Sequence, residues 1–293
     1  MAICCHPRLF PGPPVQADDD PEIDQRDSDV TSRPAMTTFR SDGVEIAYID
    51  ERPATPNDVP VLLIHGFASN VPTNWVDPGW VRTLLGAGYR VVAFDNRGHG
   101  ASEKLYALED YGAPLMAEDA RRLLDHLAIP CAHVIGYSMG ARIAAFLALA
   151  HPERVRSLVF GGLGINMVRG MAGTGPIAHA LEARHVDDVK SQAARTFRVF
   201  AEQTKSDLKA LAACIRSARA PITADAVGQI SAPVLVAVGE NDVVGGSAPD
   251  LAKLIPGAEA FVIAGREHMK AVGDRTFKEA ALAFLARVDG EAL

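Results

Sequence analysis

The sequence predicts an α/β protein: a mostly parallel central sheet with helices on both faces, and a small helical lid inserted after the strand near Val159. Three observations carry that prediction. Short apolar runs of strand length alternate with segments whose apolar residues recur at helical spacing. Several of those runs are apolar at nearly every residue, as strands covered on both faces must be. Between residues 164 and 221 the alternation stops and only helical patterns remain.

The chain has 293 residues, 48% hydrophobic and 22% charged, enough for one large core with a small appended unit. A net charge of −7 argues against nucleic acid or an anionic membrane as a general partner. No apolar run approaches the roughly 20 residues that cross a bilayer. The cysteines at 4, 5, 131 and 214 lack zinc-type spacing and are too few for a disulfide framework. Cys131 and Cys214 read as buried thiols, and a cytoplasmic location is the expectation.

Residues 1–37 hold six prolines and the run Asp18-Asp19-Asp20 and are expected to be a disordered leader. Residues 44–49 alternate as a strand does. Residues 59–64 form a buried strand ending in His65-Gly66-Phe67. A loop over residues 68–80, carrying Asn70, Asn74 and Trp75, leads to a helix near residues 80–85. The strand over 90–94 ends in Asp95-Asn96-Arg97-Gly98-His99-Gly100. A helix spans 116–127, with Ala120, Leu123, Leu124 and Leu127 on one face. Residues 131–150 then read as strand, sharp turn and helix, with Gly136-Tyr137-Ser138-Met139-Gly140 at the turn. Glycines flank the serine because so tight a turn leaves no room for a Cβ, and its geometry pushes the hydroxyl out of the sheet. A further strand covers 155–163. In the inserted stretch, residues 185–204 and 207–219 read as helices, the second capped by Ser206 or Asp207. Strands at 233–238 and 260–264 end in Gly239-Glu240-Asn241-Asp242 and Gly265-Arg266-Glu267-His268, and an amphipathic helix over 277–288 closes the chain. The expected organisation is a core over 38–163 and 222–293 with a helical cap over 164–221.

Ser138, Asp242, His268 and the turn at Phe67 all lie just past the C-terminal ends of strands, the edge where open α/β sheets bind ligands. A serine hydroxyl needs a base within hydrogen-bond reach, and the base needs an orienting acid. His268 suits the first role and Asp242 the second, and the chain order Ser, Asp, His is that expected of a serine on such an elbow. The backbone N–H groups of Met139 and Phe67 are positioned to stabilise an oxyanion. Glu240 and Asn241 are the alternatives to Asp242. Among the other histidines, His65 and His99 read as turn-stabilising, His133 as a core residue, and His126 and His151 as helix-end residues. No pair of histidines has zinc-ligand spacing with a supporting acid, so no metal is expected. Arg97 is expected to brace its own loop, the alternative being a pairing with a carboxylate near the site.

Together these motifs resemble the α/β-hydrolase fold superfamily over roughly residues 40–290, closest to the cofactor-free esterases, enol-lactonases and non-haem haloperoxidases (perhydrolases). The resemblance implies Ser138 as nucleophile, Asp242 and His268 as its partners, Phe67 and Met139 as oxyanion donors, and no cofactor. A serine at the elbow argues against haloalkane dehalogenases and α/β-fold epoxide hydrolases, whose nucleophile is an aspartate. The expected activity is hydrolysis of a small carboxylic ester or lactone through an acyl-enzyme. C–C bond hydrolysis and perhydrolysis use the same triad, and a ligand receptor on this fold is the alternative of another kind. Met167, Met171, Ile177 and Leu181 are candidates to line an acyl pocket. Residues 164–220 carry nine Lys plus Arg against five Asp plus Glu, a surplus compatible with an acidic substrate.

Overall fold

The computed structural model describes residues 34–54, 60–170, 174–217 and 221–291; the expected leader lies outside them up to residue 33, as does Met171. The first described strands, β1 (Thr37–Ser41) and β2 (Val44–Glu51), form a hairpin paired from Thr37–Tyr48 to Ser41–Val44. Asp42 and Gly43 turn it with φ of 51° and 87°, the left-handed pair that a two-residue hairpin loop requires and that Asp-Gly supplies most readily. The sequence reading passed over β1 because TTFRS turns only Phe39 and Ser41 inward.

Six further strands complete the sheet: β3 (Pro60–Ile64), β4 (Arg90–Phe94), β5 (Ala132–Tyr137), β6 (Val155–Gly161), β7 (Val234–Gly239) and β8 (Glu259–Ile263). Their spatial order is β1-β2-β4-β3-β5-β6-β7-β8. β2 meets both neighbours antiparallel, and every pairing from β4 to β8 is parallel. Parallel neighbours need crossovers, which the helices provide: α1 (Trp80–Gly86), α2 (Ala113–His126) and α3 (Met139–Ala150) in the first half.

Successive side chains of a strand leave opposite faces, and the core divides accordingly. Leu62, Ile64, Val134, Leu158 and Phe160 join the apolar faces of α2 and α3 in one layer. Val61, Leu63, Ile135 and Val159 join α1 and the closing helix in the other. Trp75 and Trp80 anchor this second layer edge-to-face at 5.8 Å, and Trp80 meets Phe277 at 4.9 Å. The segment expected as a long loop after Phe67 is thus a structured one, with a π-helical turn at Pro72–Val76 that buries Asn74 and Trp75.

Between β6 and β7 run α4 (Asn166–Arg169), α5 (Thr174–Glu182), α6 (Gln192–Gln203), α7 (Leu208–Arg216) and α8 (Ala224–Val227). The single helix expected over 185–204 is broken. Val186–Asp188 forms a 3-10 turn, and α6 starts only after Ser191, whose hydroxyl accepts from the Ala194 N–H at 3.4 Å. Asp207 caps α7 by accepting from the N–H groups of Lys209 and Ala210. Ile177, Leu181, Leu211 and Ile215 pack together with Ala68, so this helical cluster has a core of its own that includes the loop after β3. The Thr204 hydroxyl donates to the Ala68 carbonyl at 2.9 Å, and Tyr106 donates to Asp207 at 2.9 Å. After β7 come α9 (Ala248–Ala252), α10 (His268–Ala271) and α11 (Arg275–Glu291). Among the described residues no helix is long and apolar enough to cross a membrane.

Candidate active site

The elbow at Ser138 is fixed by close packing on both sides. A Cβ on Gly136 would lie 2.3 Å from the Gly140 carbonyl oxygen, and one on Gly140 would lie 1.9 Å from that of Ile64. Ser138 itself takes φ 54° and ψ −111° as the N-terminal cap of α3, a conformation that costs a non-glycine residue about 1–3 kcal/mol. Its N–H is held by the Gly161 carbonyl at 2.7 Å. The surroundings therefore impose a strained backbone, and the strain presents the hydroxyl at the sheet's edge.

Three side chains far apart in the sequence meet there. The Ser138 Oγ lies 3.0 Å from the His268 Nε2, and the His268 Nδ1 lies 2.7 Å from Oδ2 of Asp242. Asp242 and His268 are 6% and 8% exposed. The other oxygen of Asp242 accepts from the N–H groups of Val244 and Gly245, at 2.9 and 2.8 Å. A carboxylate oxygen can only accept here, so Nδ1 carries the proton and Nε2 faces the serine hydroxyl as an acceptor. The alternatives to Asp242 are occupied elsewhere or exposed: Glu240 accepts from the Gly265 N–H at 2.8 Å, and Asn241 stands in solvent.

The turn after β3 shows how an N–H is aimed. His65 is fully buried; its Nδ1 donates to the Gly66 carbonyl at 2.7 Å, and its Nε2 accepts from the Asn96 N–H at 2.9 Å. Burial keeps this imidazole neutral, lowering its pKa to about 4. The Gly66 carbonyl also accepts from the Ser69 N–H at 3.3 Å. A planar trans peptide carries its C=O and N–H on opposite sides. Holding the Gly66 oxygen against His65 therefore turns the Phe67 N–H away from that ring. A Cβ on Gly66 would lie 3.4 Å from Cβ of Ser138, so this turn lies directly against the elbow. Met139 opens α3, and its N–H is among the helix's unpaired first four.

Tyr137 is a part of the site that the sequence reading missed. Its hydroxyl donates to the His268 carbonyl at 2.5 Å, tying the elbow to the histidine loop. Space for its ring comes from Gly161 and Gly162, where a Cβ would sit 2.8 and 2.6 Å from ring atoms. The adjacent glycines at the end of β6 were the available signal. Glu267 completes the histidine's support by capping α10 through the Met269 and Lys270 N–H groups.

The remaining histidines have other partners. His133 bonds Ser157 at 2.7 Å and Asp289 at 3.1 Å. His126 ends α2 beside Tyr48, and His151 caps α3 and meets Glu118 at 2.5 Å. His99 donates to the Arg97 carbonyl and is fully buried. Arg97 braces its own loop by donating to the Asp110 carbonyl at 2.9 Å, and it also pairs bidentately with Asp119 of α2, both bonds 2.7 Å. Among the described residues no three His, Cys, Asp or Glu side chains group as a metal ion requires.

Two cavities, each of about 90 Å³, meet at Ser138 and share Phe67 and Phe197 as walls. The first reaches Met116, Arg142, Leu163, Ile215 and Val244; the second reaches Ser69, Asn74, Phe200, His268 and Met269. Of the expected pocket residues Met167, Ile177 and Leu181, none lines either cavity; they are buried in packing.

Residues 59–171 match the family model of the alpha/beta hydrolase fold. Over 115 residues the chain is 37% identical to the rhodomycin D methylesterase DnrP of Streptomyces peucetius, covering 39% of this chain and 38% of that protein. The match thus spans well under half the length of that relative. Among solved structures, a bromoperoxidase from Bacillus anthracis superposes with a TM-score of 0.70 at 23% identity, over 87% of this chain and all of that one (100%). The enol-lactonase of Burkholderia xenovorans LB400 gives 0.69 at 21% identity, over 85% and 100%. Those two likenesses are of fold, and they cover far more of the chain than the family match does. With its sheet order, its serine elbow and these matches, the chain has the α/β-hydrolase fold.

Proposed function

We propose that the protein is a serine hydrolase that cleaves a carboxylic ester or lactone of a small organic molecule through an acyl-enzyme. The observation that carries this reading is the continuous relay from Ser138 Oγ to His268 Nε2, 3.0 Å, and from His268 Nδ1 to Asp242, 2.7 Å. In the proposed reaction His268 takes the hydroxyl proton as Ser138 attacks the substrate carbonyl. Asp242 holds the ring in the needed tautomer and stabilises the imidazolium. The N–H groups of Phe67 and Met139 receive the developing oxyanion, an interaction whose loss typically costs on the order of a hundredfold in rate. The protonated ring then donates to the departing alcohol, and a water activated by His268 releases the acyl group. The helical segment between β6 and β7 acts as a lid, since Phe197, Phe200 and Ile215 wall the cavities at Ser138.

The likeness to a rhodomycin D methylesterase supports an ester as substrate. The serine at 138 supports an acyl-enzyme over the alkyl-enzyme that an aspartate nucleophile forms. A fluorophosphonate probe is expected to label the wild type and not Ser138→Ala. In a p-nitrophenyl ester series, turnover is expected to fall as the acyl chain outgrows a cavity of about 90 Å³. A wild type that resists labelling and shows background rates on every ester would reject the reading in favour of a ligand receptor.

A further inference from the structure

The turn that carries the Phe67 N–H is held from two sides. On one side His65 bonds the Gly66 carbonyl at 2.7 Å. On the other stands the helical segment between β6 and β7. Ala68 is fully buried and takes φ 59°, a left-handed conformation that a residue with a Cβ keeps only where its surroundings enforce it. Ile177, Leu181 and Leu211 pack around it, and the hydroxyl of Thr204, the residue after α6, lies 2.9 Å from its carbonyl oxygen. A hydroxyl has one proton to give. The Thr204 Oγ1 also lies 3.1 Å from the carbonyls of Phe200 and Ala201, but these already accept from the N–H groups of Thr204 and Ser206, at 3.0 and 2.9 Å. The Ala68 carbonyl is nearer and takes no other bond among the described residues, so the proton goes there. The Ser206 hydroxyl, 2.9 Å away, is then the donor to Thr204.

We propose that Thr204 is a positioning residue that sets the aim and the donor strength of the Phe67 N–H. This rests on the serine-hydrolase reading and deepens it. The orientation passes through two peptide planes, each of which carries its C=O and N–H on opposite sides. With the Ala68 oxygen held by Thr204, the Ser69 N–H of the same peptide points the other way and donates to the Gly66 carbonyl at 3.3 Å. With the Gly66 oxygen held in turn, the Phe67 N–H of that peptide faces away from it. Each bond also polarises the next, because a carbonyl that accepts makes the N–H of its own peptide a stronger donor. The 3.3 Å link is the longest of the chain and the first to be lost when the Ala68 peptide is released. Thr204 lines neither cavity at Ser138, so it acts through the turn and not on the substrate.

The test compares transition-state with ground-state binding in Thr204→Val, which keeps the side chain's size and loses its hydroxyl. The probe is an aryl trifluoromethyl ketone. Ser138 adds to its carbonyl carbon, the hydroxyl proton passes to His268, and the resulting alkoxide occupies the oxyanion's place. Thr204→Val is expected to weaken ketone inhibition and to lower kcat on p-nitrophenyl acetate by the same factor, about tenfold, less than the loss of a whole donor. The affinity of the uncleaved ester, measured on Ser138→Ala and Ser138→Ala/Thr204→Val, should not change. Thr204→Ser should restore both losses. Thr204→Cys, with only a weak S–H donor, should fall between, and it carries the test if the valine protein does not fold. Tyr106→Phe removes another bond to the same helical segment, that to Asp207, and should leave ketone inhibition unchanged. Equal losses in Tyr106→Phe and Thr204→Val would assign the effect to general seating of the segment and overturn the proposal, as would a Thr204→Val protein that binds the ketone as the wild type does. A wild type that neither reacts with fluorophosphonate nor binds the ketone would instead remove the hydrolase reading on which the proposal stands.

Discussion

Tyr137 is the residue whose role is least visible in its surroundings along the chain. Its hydroxyl bonds a carbonyl 131 positions away, and that carbonyl belongs to the histidine whose Nε2 faces Ser138. Removing the hydroxyl leaves a buried carbonyl without its partner, a penalty of about 1–3 kcal/mol. Part of it will appear as looser placement of the His268 ring. Tyr137→Phe is therefore expected to lower kcat/KM on a p-nitrophenyl ester by about tenfold, equivalent to about 1.4 kcal/mol of transition-state placement. The fraction of protein that fluorophosphonate finally labels should stay unchanged, while labelling slows. If kcat/KM per labelled site equals that of the wild type, Tyr137 braces the fold and not the histidine. Ser138, Asp242 and His268 stand out in the sequence because each lies just past the end of a strand and carries chemistry suited to that place. Tyr137 could not, because a hydrogen bond to a main-chain carbonyl leaves no mark on the residue that accepts it.

Between elements, the contact with most at stake is Arg97 with Asp119. It ties the loop after β4 to α2, with side chains 4% and 1% exposed. Asp119 also accepts from the Ser41 hydroxyl at 2.5 Å, which brings in the end of β1. Truncating one partner of such a pair strands a buried charge, at a cost of about 3–5 kcal/mol. Arg97→Met is expected to lower the urea-unfolding free energy by that amount, and Arg97→Met/Asp119→Leu should recover part of it. A single variant within about 0.5 kcal/mol of wild type would mean that water reaches Asp119. Arg97 does serve its own loop, through the Asp110 carbonyl, as sequence reasoning expects; its pairing with Asp119 was not legible, because that partner lies 22 residues on, in a helix whose polar face gives no hint of which carboxylate turns inward. The Asp42-Gly43 hairpin was different. Its Asp-Gly signal is strong, but the strand before it turns only Phe39 and Ser41 inward and so carries little pattern of its own. The broken helix over 185–204 shows a local cap prevailing over apolar periodicity, since Ser191 starts α6 where the pattern alone would run on.

On the scale of the whole molecule, the parallel part of the sheet was legible because its strands, apart from β8 at the edge, are buried on both faces, and uninterrupted apolar runs have few other uses. What such runs do not reveal is how deep the loops between them sit, and that depth governs the protein's response to acid. His65 and His99 are fully buried with ring centroids 5.3 Å apart. Burial, foremost, lowers their pKa values from 6.5 to about 4 and about 3, and for His99 the neighbouring His65 adds to the shift. The unfolded chain binds these protons below pH 6.5 and the folded one does not, so stability rises with pH across that interval. The contribution is whole above pH 6.5 and shrinks as pH falls toward 4 and then 3, by about 1.4 kcal/mol per pH unit for each proton. Asp95, whose pKa burial raises, works in the opposite sense in its own range, so a difference measurement isolates the histidines. Unfolding free energies from urea titrations between pH 6 and 4.5 are expected to fall steeply for the wild type and about one proton's slope less steeply for His99→Gln. The glutamine retains an amide N–H for the Arg97 carbonyl, so the variant changes the titration while keeping the loop's bond. Equal slopes would mean that ring 99 accepts a proton inside the folded protein. The packing of the loop after β4 against His65, on which the aim of the Phe67 N–H depends, would then have to be looser than these contacts describe.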